Sequence, residues 1–90
     1  MSKWKIRFSI DALKELKKLD RYTITLIDYW IKKHLENSED PRVFGKPLVA
    51  NHKGELGYRI GDYRMLCEIK YNVLLILIIK IGHRKDVWKY

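Results

Sequence analysis

Val73–Ile79 is a run of seven apolar residues without a charge, and beyond Lys80 it continues to Ile81. Seven residues are far short of the roughly 20 that a membrane span needs. The run is also too continuous for a strand with one wet face, which would alternate. It predicts a strand buried on both faces in the middle of a sheet. A central strand needs neighbours on both sides, which the rest of the chain must supply.

One neighbour precedes it directly. Tyr58-Arg59-Ile60, then Gly61-Asp62, then Tyr63-Arg64-Met65 has the form of a hairpin with a two-residue, Gly-first turn. Its second strand alternates, with Tyr63, Met65, Cys67, Ile69 and Tyr71 on one side and Arg64, Glu68 and Lys70 on the other, before a turn near Asn72. Lys3–Phe8 alternates in part and predicts a further strand. Ser9 can cap a helix with Asp11 in its first turn, and Leu13, Leu16 and Leu19 form its apolar stripe. Asp20 is a second cap, followed by Ile24, Ile27, Ile31 and Leu35 at helical spacing. Trp30 and Tyr29 flank that stripe as core residues, His34 falls on the surface, and the cluster Asn37 to Pro41 ends the helix. Pro41–Gly57 reads as a long connection with room for a short strand, a length typical of functional loops. The order β-α-α-β-β-β predicts an α+β domain: an N-terminal strand, a helical hairpin, then a three-stranded antiparallel meander.

Ninety residues with 47% apolar content suit a single domain over 1–90 with one core. Residues 41–90 hold ten Lys/Arg against four Asp/Glu, whereas residues 1–40 hold nine against seven. The net charge of +8 is thus concentrated in the second half, the electrostatic footprint of an anionic partner such as nucleic acid. Scattered lysines that keep the protein soluble are the plainer explanation. The first ten residues lack the features of a signal peptide, and the expectation is a cytoplasmic protein with no membrane contact. Cys67 alone cannot make an internal disulfide and belongs to the apolar side of its strand. His34, His52 and His83 show no metal-ligand spacing, no Gly-rich phosphate loop occurs, and no metal or small-molecule cofactor is expected.

The hairpin register carries the sharpest inference. With Gly61 and Asp62 as turn residues, Ile60 pairs with Tyr63 and Arg59 lies opposite Arg64, with Cβ atoms about 5 Å apart. Like charges so placed destabilise a sheet unless something lies between them. A phosphate held by two guanidinium forks would do so; Glu55, Asp62 or Glu68 could also neutralise the pair. Beyond the apolar strand, Gly82-His83-Arg84-Lys85-Asp86-Val87-Trp88-Lys89-Tyr90 would bring Arg84 to this pair if it turned back over the sheet. Trp88 or Tyr90 could then stack on an unpaired base.

Leu19-Asp20-Arg21-Tyr22, Gly45-Lys46-Pro47-Leu48, Tyr58-Arg59-Ile60-Gly61-Asp62-Tyr63-Arg64 and Gly82-His83-Arg84-Lys85-Asp86-Val87 occur in an order that resembles the RelE/ParE superfamily of toxins, nearest its RelE branch. The resemblance implies a RelE-like four-stranded sheet with two helices packed on one face. It also implies a toxin of a type II toxin–antitoxin system that inhibits translation as a ribosome-dependent endoribonuclease, cutting mRNA in the A site by metal-independent attack of a ribose 2′-oxygen. Its partners would be a cognate acidic antitoxin, the ribosome and mRNA. Carried onto this chain, Arg59, Arg64 and Arg84 fall on catalytic positions, with His83 and Tyr90 as acid–base candidates. Lys46, Lys53, Lys85 and Trp88 would contact RNA. Two departures stand out: Leu56-Gly57 replaces an aromatic–Arg pair, and Trp88 stands where tyrosine is common. The alternative on the same scaffold is a ParE-like toxin that inhibits DNA gyrase without nuclease activity.

Overall fold

The computed structural model describes residues 3–47 and 55–87. The apolar run supplies the central strand of one sheet only from Leu75 onward: Val73 closes a 3-10 turn (Tyr71–Val73), Leu74 follows it at φ +51°, and both are exposed. Strands β1 (Lys5–Phe8), β2 (Lys46–Pro47), β3 (Glu55–Ile60), β4 (Tyr63–Lys70) and β5 (Leu75–His83) lie in the order β1-β5-β4-β3-β2. β1 runs parallel to β5, and β4 lies antiparallel on its other side. The four expected strands and two helices are present, and β2 adds a two-residue edge inside the Pro41–Gly57 connection. β3 begins at Glu55, earlier than the hairpin residues alone suggest, because its pairing with β4 continues to Glu55↔Glu68.

Helix α1 (Ile10–Lys17) is tied to the central strand by the residue that caps it. Ser9 Oγ accepts from the Ala12 N–H at 3.0 Å and donates to the Ile79 carbonyl at 2.8 Å. The Ser9 N–H bonds the Ile78 carbonyl at 2.8 Å. This draws the first turn so close to β5 that Ala12 is the residue fully buried there. Leu13, expected to face inward, is 40% exposed, while Leu16 and Leu19 pack against the core from its margin. Helix α2 (Arg21–Ile31) starts at Asp20, whose carboxylate accepts from the Thr23 N–H and hydroxyl. Those bonds hold the Asp20 carboxyl below the usual carboxylate range. Ile27 and Ile31, with Leu35 in the π-turn that follows (Lys32–Glu36), are buried; Ile24 is half-buried. Trp30 packs against the core, but Tyr29 is exposed, with Lys33 Nζ 5.7 Å from its ring centroid.

The central strand contains a bulge. Leu66 pairs with Lys80 but Cys67 pairs with Ile78, leaving Ile79 as the extra residue. The core positions of β5 are therefore Ile76, Ile78 and Ile81. The phase shift brings Ile79 and Lys80 together, which helps explain why the sequence does not alternate. Leu75 and Leu77, between core positions, are half-buried, so the second face is less covered than the apolar run suggests. Cys67 is fully buried, and burial pushes its thiol up in pKa. That makes it a core residue rather than a nucleophile.

Tyr58 fixes the path of the loop before β2. Its fully buried ring would lie 2.9 Å from a Cβ at position 45, so the close approach requires Gly45. Its hydroxyl donates to the Pro41 carbonyl at 2.8 Å. Burial raises the Tyr58 pKa and keeps the phenol a donor. Lys46 then stands at the register position opposite Gly57. Among the described residues, no helix is long and apolar enough to cross a membrane.

Candidate active site

The site is organised by the β3–β4 turn. Gly61 has φ +60°, and Asp62 is not among the residues with positive φ. This is the two-residue II′ geometry that matches strand twist and favours glycine first. Ile60 pairs with Tyr63 and Arg59 with Arg64, so the register expected from the sequence is the one observed. On the β5 side, Arg64 pairs with Gly82, so that strand offers no side chain at the register position opposite it.

The two arginines have different surroundings. Arg59 is exposed, whereas Arg64 is only 7% exposed. Arg64 Nη1 donates to the carbonyls of Gly61 at 2.8 Å and Tyr63 at 2.9 Å, so the residue braces the turn and holds a fixed charge beneath it. Arg84 opens the short helix α3 (Arg84–Val87), and its backbone N–H bonds the Asp62 carbonyl at 2.9 Å. The chain after β5 is thereby hung on the hairpin turn. Burial, then the charges of Arg59 and Arg84, lower the pKa of Arg64 from its ordinary value, with Asp62 opposing them. Three guanidinium residues thus share one corner of the sheet. Among the described residues none of the three forms an ion pair; Glu68 pairs with Lys70 at 3.5 Å.

His83 is half-buried beside this corner. It pairs with Tyr63 across β4–β5, and the two rings meet edge to face at 5.9 Å. Its Nδ1 lies 3.3 Å from the Lys85 backbone N–H, which donates to it. Lys85 itself is exposed on α3. Lys46 occupies the edge strand, separated from β4 by β3. Lys53, Trp88 and Tyr90 lie outside the described residues. Two contributors were missed in the sequence: the Asp62 carbonyl, which anchors Arg84, and Tyr63, which supports His83. The Gly-first turn signalled the position of the first but not its bond. Among the described residues, no group of His, Cys, Asp and Glu side chains has the arrangement to hold a metal ion.

Tetrahedral oxyanions suit this corner, because guanidinium groups present planar pairs of donors and keep their charge at any physiological pH. Residues 6–88 match the family model described as the ParE toxin of the type II toxin–antitoxin system parDE. The chain is similar to toxin RelG of Mycobacterium tuberculosis, at 28% identity over 85 residues that cover 93% of this chain and 94% of that protein. Among solved structures it resembles the RelBE2 toxin–antitoxin complex of Mycobacterium tuberculosis, with a TM-score of 0.82, 28% identity and coverage of 96% and 97% of the two chains. The archaeal RelE–RelB complex of Pyrococcus horikoshii shares the fold at a TM-score of 0.74 and 21% identity, covering 97% of this chain and all of that one (100%). The match over nearly the whole chain establishes the relationship: the protein belongs to the ParE toxin family of type II toxin–antitoxin systems, within the RelE/ParE superfamily.

Proposed function

We propose that the protein is a ribosome-dependent endoribonuclease that cleaves mRNA in the A site. The observation that carries this reading is the convergence of Arg59, Arg64 and Arg84 on one turn without an ion-pair partner among the described residues. In the reaction, the ribose 2′-oxygen bonds to the neighbouring phosphorus as its hydroxyl loses a proton. The P–O5′ bond breaks, the departing oxygen takes up a proton, and a 2′,3′-cyclic phosphate remains. Charge builds on the phosphoryl oxygens before the leaving group departs. Cations already fixed in place stabilise that charge without reorganising at the moment of reaction. Arg64 is held by the turn carbonyls, Arg84 is placed by its backbone bond to Asp62, and Arg59 supplies the exposed fork. Arginine does not act as a base in this scheme; Tyr90 is the acid–base candidate, with Trp88 for base stacking. Lys46, Lys53 and Lys85 supply phosphate contacts that position RNA.

A cognate acidic antitoxin is the natural inhibitor for a chain of net charge +8. The structures of the related RelBE2 and archaeal RelE–RelB proteins as complexes support such a partner. The match to the ParE family model favours a second reading, in which the same scaffold inhibits DNA gyrase. Primer extension on an mRNA in a reconstituted translation reaction separates the two. The nuclease reading expects cuts at codon positions only when ribosomes are present. An uncut message together with trapped gyrase–DNA breaks would replace it with the second reading.

A further inference from the structure

Arg84 is held by a bond on its own backbone and by one on the residue after it. Its N–H is taken by the Asp62 carbonyl at 2.9 Å, and the next N–H, that of Lys85, is taken by His83 Nδ1 at 3.3 Å. The imidazole that accepts this second bond is itself fixed by cross-strand pairing with Tyr63 and by the edge-to-face contact between the rings. An acceptor on residue i bonded to the N–H of residue i+2 is the arrangement by which Asn, Asp, Ser and Thr cap helices. A neutral imidazole that accepts at Nδ1 carries its hydrogen on Nε2. The Nδ1 lone pair is therefore occupied by the backbone and is not free to take a proton from substrate.

We infer that His83 is a positioning residue that caps α3 through Nδ1 and thereby fixes Arg84 over the hairpin turn, and that it is not the acid or base of the reaction. The inference deepens the nuclease proposal and rests on it for its kinetic readout. Two isosteric substitutions separate the roles. In His83→Asn the side-chain amide falls near Nδ1 and can accept from Lys85, whereas in His83→Gln it falls near Nε2 and cannot cap in the same way. An acid–base histidine would be replaced by neither.

The test measures single-turnover mRNA cleavage at saturating toxin, toxin affinity for ribosomes, and amide exchange at Lys85 in the free protein. His83→Ala and His83→Gln are expected to lower the cleavage rate roughly ten- to hundredfold, the scale of a catalytic group displaced by about 1 Å. Ribosome affinity should stay within about threefold of the wild type, since capping sets the geometry of the cluster and leaves most of the basic surface in place. His83→Asn should recover most of the lost rate. An Asn variant as slow as the Ala variant, beside an active wild type, would overturn the inference, as would a fully active Gln variant. If the wild type itself cleaves nothing, the nuclease proposal fails and Lys85 exchange decides the capping claim alone. Exchange that quickens in the Ala and Gln variants but not in Asn supports the cap; exchange unchanged in Ala refutes it.

Discussion

The β3–β4 hairpin carries two opposed pairs of like charge on the same face, and they have different surroundings. Near its open end Glu55 lies opposite Glu68; next to the turn Arg59 lies opposite Arg64. Glu68 has Lys70 at 3.5 Å, so at least one member of the acidic pair is compensated by a cation on its own strand. The basic pair has no ion-pair partner among the described residues, and Arg84 adds a third positive charge to the same corner. Cross-strand like-charge pairs each cost a few tenths of a kcal/mol to about 1 kcal/mol. A structure that relieves one pair and adds charge to the other has its positive potential concentrated at one point. In the nuclease proposal that point receives a scissile phosphate.

Changes that act on this contrast should separate its two ends. Arg84→Ala is expected to have the largest effect, lowering mRNA cleavage by roughly 10²- to 10³-fold, the usual loss when one preorganised oxyanion donor is removed. Because Arg84 is exposed, the melting temperature should hardly move, and cleavage kinetics beside a thermal melt check both statements. Gly61→Ala attacks the turn that carries the cluster. An L residue at φ +60° costs about 1–2 kcal/mol, so the variant should melt several degrees lower and cleave more slowly, as the support of Arg64 and Arg84 loosens.

Acid tests carboxylates remote from the cationic corner. Hydrogen bonds from Thr23, its hydroxyl first, lower the Asp20 pKa in the folded state; Arg42 lowers that of Asp40 chiefly through side-chain hydrogen bonding. Folded values below the unfolded ones mean stability that is complete above the unfolded aspartate pKa, near 3.9, and lost as pH falls through the folded values. Melting temperature should therefore decline as pH drops below about 4, less steeply in Asp20→Asn. The smallest effect belongs to the acidic pair. Glu68→Gln removes one opposed charge and one ion pair together, so stability should change by less than about 0.5 kcal/mol, with cleavage within about twofold of the wild type.

Much of this contrast is legible in the sequence. Strand period and a two-residue Gly-first turn fix hairpin register, so the opposition of Arg59 and Arg64 could be read from YRIGDYR. Both helix caps were legible too, because Ser9 and Asp20 precede apolar periods. The inward side of α1 was not legible. Leu13 has the right spacing, but the two hydrogen bonds that Ser9 donates to β5 draw the helix so close that Ala12 takes the buried place. The bulge at Ile79 was hidden inside an apolar run that carries no phase information. The burial of Arg64 against two turn carbonyls, and the capping bond of His83, depend on backbone groups, which every residue carries and no motif spells out. Sequence pattern reports which side chains share a face; it does not report which carbonyl they will meet.

In the nuclease proposal the basic pair is kept under strain for a ligand. One preparation of Arg59→Ala tests it, with the melting temperature of the free protein and the rate of ribosome-dependent mRNA cleavage measured side by side. The melting temperature should rise slightly, by the relief of one like-charge opposition, while cleavage should fall at least about tenfold. A sharp drop in melting temperature with cleavage retained would contradict it and make Arg59 a member of a structural ion pair.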